Sequence, residues 1–144
     1  MHKSKGIDRI IDANVNRLKE GLRVCEEISR FIMNNRLLTV QFKSIRHSID
    51  RLAEALAPVA ERVSVRNSRR DKGKNVHLDT ELKRTGLADI FYANIQRAKE
   101  SIRVLEEFAK LKGKAEALGF KKARYEIYEL EKKVITHRPG LRRY

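Results

Sequence analysis

Apolar residues recur every three or four positions along most of this 144-residue chain, which is the spacing of an amphipathic α-helix. When the first such segment is placed on a helix at about 100° per residue, its apolar residues gather on one broad arc. The arc contains Ile10, Ile11, Leu18, Gly21, Leu22, Val24, Cys25, Ile28 and Ile32. No segment keeps the strict alternation of a half-buried strand, so the pattern predicts an all-α fold.

Breaks in this pattern divide the chain into two helical hairpins that form a bundle, joined by an irregular connection. Pro58 interrupts the first hairpin, Gly86 suits the end of a short helix, and Gly113 separates the two helices of the second hairpin. Residues 65–77 have no apolar period and carry Asn, Ser, Asp and Gly, so we expect a basic loop there. The predicted helices cover about 7–34, 39–57, 59–64, 79–84, 87–112 and 114–135.

The two hairpins contain an internal repeat. Residues 12–27, DANVNRLKEGLRVCEE, return eighty positions later as 92–107, YANIQRAKESIRVLEE, with nine of sixteen residues identical. Most identities are polar: Asn14/Asn94, Arg17/Arg97, Lys19/Lys99, Glu20/Glu100, Arg23/Arg103, Glu26/Glu106 and Glu27/Glu107. A duplication kept only for packing preserves apolar character and lets polar positions drift. We therefore expect one domain over 1–144, with pseudo-symmetric copies at about 7–57 and 87–136 and a polar function in both.

The helical projection places several of these polar residues beside or within the apolar arc. Asn14 falls near its centre, and Arg17 lies within it at about 60° to one side. Glu20, Arg23 and Glu27 follow on the neighbouring stripe, at spacings of three and four residues where side chains meet. We therefore expect Arg17 to be buried or half-buried.

A buried arginine needs a carboxylate, a carbonyl or an anionic ligand, because an unpaired charge removed from water costs several kcal/mol. In one interpretation, Arg17 pairs with a carboxylate such as Glu100 across an interface between the two copies. In the other, Arg17 and Arg97 converge on phosphate, and the nearby carboxylates hold them or bind Mg²⁺. Both interpretations are compatible with the repeat.

The composition of the chain indicates which classes of partner it would attract, but it does not select one of them. The chain has 33 Lys and Arg against 19 Asp and Glu, a net charge of +14, which attracts nucleotides, polyanions and acidic membranes alike. The single cysteine, Cys25, lies on the apolar arc and is expected to be a buried hydrophobic residue. No export signal or membrane-spanning stretch is evident, so we expect a cytoplasmic protein. The four histidines lack zinc-ligand spacing, and no familiar nucleotide-binding motif is present.

The central loop carries the densest group of basic residues, which are Arg66, Arg69, Arg70, Lys72 and Lys74. They surround Asp71 and Gly73, a composition that can fold over phosphates while Asp71 binds a metal ion or orders the loop. The alternative is a solvated basic connector. Composition by itself favours that alternative.

Segments from both copies and the loop resemble a known family. RNSRRDKG at 66–73, then Glu81 and Arg84, and then DIFYANIQRAKESIRVLEEFAK at 89–110 are similar to a helical domain often fused ahead of thiamine phosphate synthase. RIIDANVNRLKEGLRVCEE at 9–27 resembles the first helix of the same domain. The family is known as a monofunctional hydroxymethylpyrimidine phosphate kinase. No synthase barrel follows in this sequence, so we expect a free-standing version.

The resemblance implies transfer of a phosphoryl group from ATP, with Mg²⁺, to a pyrimidine phosphate. It implies a catalytic group made of Arg17, Arg97, Arg66, Glu20 and Glu100. It implies a binding group made of Asn14, Asn94, Arg23, Arg103, Arg84, Glu81 and Gly73. Asp71 is the expected metal ligand, because Asn67 stands where the family pattern has its first acidic residue. Gly21 and Ser101 also depart from the pattern, which often has Ala at both positions.

Two other functions remain open at this point. The net charge, the basic helix at 43–51 and the basic tail at 138–143 are compatible with an RNA-binding protein, although the repeat retains as many acids as bases, which disfavours nucleic acid. The related fusion to thiamine phosphate synthase is compatible with a noncatalytic domain that docks on such an enzyme. A homodimer is also open, and no membrane partner is expected.

Overall fold

The computed structural model describes residues 2–137, so the basic tail at 138–143 lies outside the described residues. Its helices are α1 (His2–Glu27), α2 (Arg36–Leu56), α3 (Val59–Ser64), α4 (Asp79–Leu82), α5 (Leu87–Ala109) and α6 (Lys114–His137). A π-helical turn, Ile28–Ile32, continues α1, and a short 3₁₀ turn, Ser68–Arg70, lies in the loop between α3 and α4. The described residues contain no strand, and the all-α prediction is confirmed.

The predicted helix boundaries agree with the structure to within a few residues, and local chemistry explains the differences. The first helical segment ends at Ile32, two residues before Asn34, whose φ of 50° is a left-handed conformation that asparagine tolerates. The next residue, Asn35, caps α2 by accepting a hydrogen bond from the backbone N–H of Leu38 at 3.0 Å. Because of this cap, α2 begins three residues earlier than the expected Thr39.

The four long helices form a bundle in which each helix packs against two others. α1 packs on α2 and α5, and α6 packs on the same two helices from the opposite corner. α1 and α5 run antiparallel, because Asp8 near the start of α1 meets Lys112 just after α5, with an Oδ1 to Nζ distance of 2.6 Å. Phe42, Phe91 and Phe120 fill the core with complete burial. No helix of the described residues is long and apolar enough to cross a membrane.

The backbones of α1 and α5 come very close at Gly21. A Cβ atom added to Gly21 would lie 2.8 Å from the carbonyl oxygen of Asn94 and 3.6 Å from the Cβ of Ala98. Ser101, the residue that matches Gly21 in the second copy, is also buried. The absence of a side chain at Gly21 therefore lets the two helices pack with their backbones in contact.

The same ion pair joins the helices within each hairpin. Glu26 of α1 accepts hydrogen bonds from Nε and Nη2 of Arg46 at 2.8 and 3.2 Å. Glu106 of α5 accepts the equivalent bonds from Arg124 at 2.8 and 3.4 Å. The hydrogen bond to Glu106 raises the pKa of Arg124 above its ordinary value, so its charge is permanent. The retained Glu26 and Glu106 are thus explained by fold stability.

Gly21→Ala is expected to destabilise the bundle, because the added methyl group meets the Asn94 carbonyl oxygen, which belongs to the backbone and cannot rotate away. Gly6→Ala is the matched control, since a Cβ atom at Gly6 meets nothing within 4 Å. We expect the free energy of unfolding of Gly21→Ala to lie about 1–3 kcal/mol below that of Gly6→Ala in urea titrations. Equal stabilities would contradict this close contact.

Arg46→Met leaves the buried carboxylate of Glu26 without its partner. The Glu26 side chain is only 4% exposed, so we expect a loss of about 3–5 kcal/mol in the free energy of unfolding. Arg23→Met breaks an exposed pair with Glu27 and should cost about 0–1 kcal/mol in the same denaturant titration. A loss for Arg46→Met no larger than for Arg23→Met would show that the Glu26 pair does not stabilise the hairpin.

Candidate functional site

Ion pairs account for several polar residues that the two copies share. Lys19 contacts Asp50 of α2 at 2.6 Å, and Lys99 contacts Glu131 of α6 at 3.0 Å. The sequence-predicted binding residues Arg23 and Arg103 lie on the surface and pair along their own helices, with Glu27 at 2.9 Å and Glu107 at 3.2 Å. Those four pairs stabilise helices and hairpins and therefore need no ligand to explain them.

Asn14 and Asn94 have the same local hydrogen bond in both copies. Each Nδ2 donates to the carbonyl oxygen four residues earlier, Ile10 and Ile90 respectively, at 2.8 Å. Asn14 is buried and Asn94 is half-buried. The bond uses one of the two N–H donors of each amide, so the other donor and the side-chain oxygen still have hydrogen-bonding capacity.

Arg17 and Arg97 are not buried, and the expectation that Arg17 lies half-buried on the apolar arc is wrong. Both side chains are exposed and form no ion pair within the described part of the chain. Glu20 is also exposed, while exposed Glu100 accepts a hydrogen bond from Gln96 at 3.1 Å. A structural pair between Arg17 and Glu100 is therefore absent. The two arginines are retained in both copies without a packing role that explains them.

A pocket of about 360 Å³ lies between the first half of α1 and the loop after α3; we call it the α1–loop pocket. It brings together four residues that the sequence singled out: Asn14, Arg17, Arg66 and Asp71. Other residues that line it are Gly6, Arg9, Ile10, Asp12, Ala13, Asn16, Asn67 and Ser68. The pocket thus joins three arginines and three amide side chains at one concave surface, a composition suited to a phosphate-bearing ligand.

Asp12 organises this pocket, although no motif or helical periodicity indicated this role. Its two carboxylate oxygens accept hydrogen bonds from Nη2 and Nε of Arg66 at 2.8 and 2.7 Å. Nη1 of buried Arg62 lies 3.8 Å away. The hydrogen bond and the charge of Asp12 raise the pKa of Arg66. The sequence signal that could have found Asp12 was a difference between the two copies, since Asp12 stands where the second copy has Tyr92.

Asp71 orders the loop through its own side chain. Its Oδ1 accepts a hydrogen bond from the backbone N–H of Gly73 at 2.9 Å, which forms a tight Asx-type turn. This bond explains why Asp71 and Gly73 occur together, and it leaves Oδ2 for other partners.

A Mg²⁺ ion in this pocket would need coordinating oxygens from a bound phosphate compound in addition to those of the protein. The described residues contain no group of three or more His, Cys, Asp or Glu side chains arranged to hold a metal ion. Within the pocket both oxygens of Asp12 bind Arg66, so Asp71 is the carboxylate with coordination capacity left. Mg²⁺ typically uses one or two carboxylates and takes its other ligands from substrate phosphates and water, which this arrangement allows.

The remaining predicted site residues lie outside the α1–loop pocket. Glu81 and Arg84 are exposed near α4, where Nη1 of Arg84 donates to the carbonyl oxygens of Lys83 and Glu81 at 2.8 and 3.2 Å. The residues of α5, which are Asn94, Arg97, Glu100 and Arg103, do not line this pocket, and neither do Glu20 and Arg23 of α1. Cys25 is buried in the core as expected, and burial raises the pKa of its thiol, so it stays protonated.

Comparison with known proteins gives one family. Its profile, described as the ThiD2 family, matches residues 9–133. A thiamine-phosphate synthase of Synechocystis is 39% identical over 127 residues, covering 87% of this chain and 35% of the relative. Thiamine-phosphate synthases of Nostoc punctiforme and Rhodopirellula baltica are 36% and 34% identical, and 35% and 37% of their lengths are covered.

This chain therefore spans only about a third of the length of the curated relatives that it matches. No solved structure gives a significant match. Because the family profile covers most of the chain, from α1 to near the end of α6, the chain belongs to the ThiD2 family.

Proposed function

We propose that this chain is a kinase of thiamine biosynthesis that transfers a phosphoryl group from ATP to hydroxymethylpyrimidine phosphate, forming the pyrophosphate. The α1–loop pocket carries this proposal, because it combines Arg17, Arg66, Asn14 and Asp71 around one concave surface. The sequence resemblance to the pyrimidine phosphate kinase family supports the reaction. The name of the relatives, thiamine-phosphate synthase, supports a place in the synthesis of thiamine phosphate.

In the proposed reaction, an oxygen of the pyrimidine phosphate attacks the γ-phosphorus of ATP. The bond from that phosphorus to the β,γ-bridging oxygen breaks, and the electron pair leaves with ADP. A phosphate monoester is largely ionised near pH 7, since its second pKa is about 6, so the nucleophile needs no general base. This requirement agrees with a pocket whose described lining residues include arginines and amides and no histidine.

The residues of the pocket then serve to bind and orient phosphates. Arg17 and Arg66 donate charge-assisted hydrogen bonds to phosphate oxygens, and their positive charge stabilises the negative charge of the transferred group. Asp71 is the carboxylate of the α1–loop pocket that would hold a magnesium ion, which would neutralise phosphate charge when bound. Glu20, Arg97 and Glu100 stay predicted catalytic residues.

Replacing Arg17 by Met is expected to reduce turnover while leaving the fold intact. Loss of one charge-assisted hydrogen bond, worth about 1.5–3 kcal/mol, corresponds to roughly a 10- to 150-fold fall in kcat/KM. Because Arg17 is exposed and unpaired among the described residues, the free energy of unfolding should change by no more than about 0.5 kcal/mol. ADP release in the presence of ATP, Mg²⁺ and the pyrimidine phosphate measures the first quantity, and thermal unfolding measures the second.

Arg36→Met is the matched control, since Arg36 is exposed at the start of α2 and does not line the α1–loop pocket. It should keep wild-type turnover. Wild-type protein that forms no ADP above background would overturn the kinase proposal. Turnover of Arg17→Met equal to that of Arg36→Met would remove Arg17 from the site.

A second candidate is a noncatalytic domain that docks on a thiamine-phosphate synthase, and the names of the relatives fit it more directly than they fit a kinase. The matching region is about a third of each relative, so in those proteins it is joined to a longer remainder. Exposed apolar side chains at the turn between α1 and α2 offer a surface for such a contact. Phe31, Leu37 and Val40 are 61%, 64% and 52% exposed.

Docking predicts a measurable effect on the remainder of such a relative. The Synechocystis synthase, expressed without its matching third, should co-sediment with this chain, and its synthase turnover should rise when the chain is added. Leu37→Ser should weaken the complex, because it removes apolar contact area, whereas Leu118→Ser on α6 should not, although Leu118 is similarly exposed. Sedimentation as two independent species with unchanged turnover would rule out this candidate.

A further inference from the structure

A second and larger cavity adjoins the α1–loop pocket. It has a volume of about 760 Å³ and lies between α1, α2 and α3, so we call it the three-helix cavity. Asn16 and Arg66 line both spaces, whereas the remaining lining residues belong to one space or the other. The two spaces therefore meet at Arg66, on the outer side of the first half of α1.

The three-helix cavity combines positive charge with apolar surface. Its cations are Lys19, Arg51, Arg62 and Arg66, its carboxylates are Asp50 and Glu54, and its apolar residues are Val15, Ala55 and Val59. Lys19 pairs with Asp50 at 2.6 Å and buried Arg62 lies beside Asp12, so Arg51 and Arg66 are the cations best placed to meet a ligand. Arg51 donates to Ser48 Oγ at 3.2 Å and is otherwise exposed, so most of its N–H groups can reach a ligand. A ligand with a flat apolar part and a phosphate chain that reaches Arg51 and Arg66 matches this arrangement, as a nucleoside triphosphate does.

The volumes of the two spaces also fit a nucleoside triphosphate in the larger space and a smaller phosphate compound in the other. The three-helix cavity has about twice the volume of the α1–loop pocket. ATP has more than twice as many non-hydrogen atoms as hydroxymethylpyrimidine phosphate. Both volumes lie in the range of about 300–1,000 Å³ that small-molecule sites usually have. The smaller space offers Asn14, Ser68 and Arg17, which suit a small polar ring that carries one phosphate.

Arg66 is held at the border between the two spaces. Asp12, whose side chain is only 4% exposed, binds Nε and Nη2 of Arg66, so the guanidinium cannot swing freely. Those bonds use two of the five N–H groups of the guanidinium, and three remain for ligands. The Arg66 side chain is 42% exposed, which leaves these donors accessible.

We infer that the three-helix cavity takes the nucleotide donor, that the α1–loop pocket takes the pyrimidine phosphate, and that Arg66 contacts the transferred phosphoryl group between them. Asp12 acts as a positioning residue that fixes the guanidinium of Arg66. The inference rests on the proposed kinase function and adds the location of each substrate. It gives buried Asp12 a role beyond the stabilising ion pairs of buried Glu26 and Glu106.

Substitutions that fill one space at a time test the assignment. Ala55→Phe should raise the KM for ATP by about 10-fold or more, with the KM for the pyrimidine phosphate within about twofold of wild type. Ser68→Phe should have the opposite pattern. Ala55 and Ser68 are exposed, so both variants should fold. Ala115→Phe, on an exposed part of α6 that lines neither space, is the matched control and should change neither KM.

The border residues should affect a different kinetic constant. Arg66→Met should lower kcat by about 10²- to 10³-fold, because it removes donors aimed at the transferring group. Asp12→Asn should also lower kcat, with smaller changes in either KM. If Asp12 were merely structural, its replacement would lower the folded fraction and leave kcat per folded molecule unchanged. Circular dichroism gives the folded fraction of each variant. Arg66→Met leaves buried Asp12 without its main partner, so Arg66→Lys, which keeps a positive charge beside Asp12 but lacks the guanidinium fork, keeps the test available should either of the other variants fail to fold, and it should also lower kcat.

A rise in the pyrimidine phosphate KM for Ala55→Phe, or an equal rise in both KM values, would overturn the assignment of the cavities while leaving the kinase function intact. Absence of turnover in the wild-type protein would instead refute the kinase function. In that case binding of a non-hydrolysable ATP analogue, measured by equilibrium dialysis, still tests whether the three-helix cavity takes the nucleotide. Binding that is weakened by Ala55→Phe and not by Ala115→Phe supports it, and any other result overturns it.

Discussion

At Gly21 the backbones of α1 and α5 are so close that a single added carbon would lie 2.8 Å from the Asn94 carbonyl oxygen. This contact sets the spacing of the two central helices, and the other long helices, α2 and α6, close the bundle by packing on them and on each other. Because interiors are packed at nearly crystalline density, a change in that spacing would propagate to every core side chain. The site also depends on it, since α1 supplies one wall of the pocket and of the adjoining cavity.

The duplicated ion pairs stabilise the fold, whereas Asp12, which organises the candidate site, stands where the duplication fails. Both hairpins have a buried glutamate joined to an arginine of the following helix, Glu26 with Arg46 and Glu106 with Arg124. Asp12, by contrast, has Tyr92 as its counterpart. A reaction between two unlike substrates needs two unlike binding spaces, and a symmetric pair of sites would not provide them. The asymmetry at Asp12 is therefore consistent with the proposed function.

Electrostatics connects the net charge of +14 to this site. Most basic residues are exposed and act together as a field that attracts phosphate compounds, and salt screens this field beyond about 10 Å. Asp12 has a local effect instead. Its carboxylate neutralises part of the charge of Arg62 and Arg66 and holds Arg66 in one orientation. In the proposed site, the buried carboxylate of Asp12 thus orients one guanidinium of an otherwise diffuse basic surface.

The sequence by itself determined the helices, because the signals that set them are local in the chain. These signals are the apolar periodicity, the capping Asn35 and the glycine and proline breaks. It also indicated which polar residues to consider, through the repeat. Only the tertiary structure decided their roles. Arg17 is exposed because neighbouring helices cover one side of the arc and leave its edge open, which a helical projection cannot show. Asp12 and Arg66 are 54 residues apart, so only folding brings this carboxylate to this guanidinium.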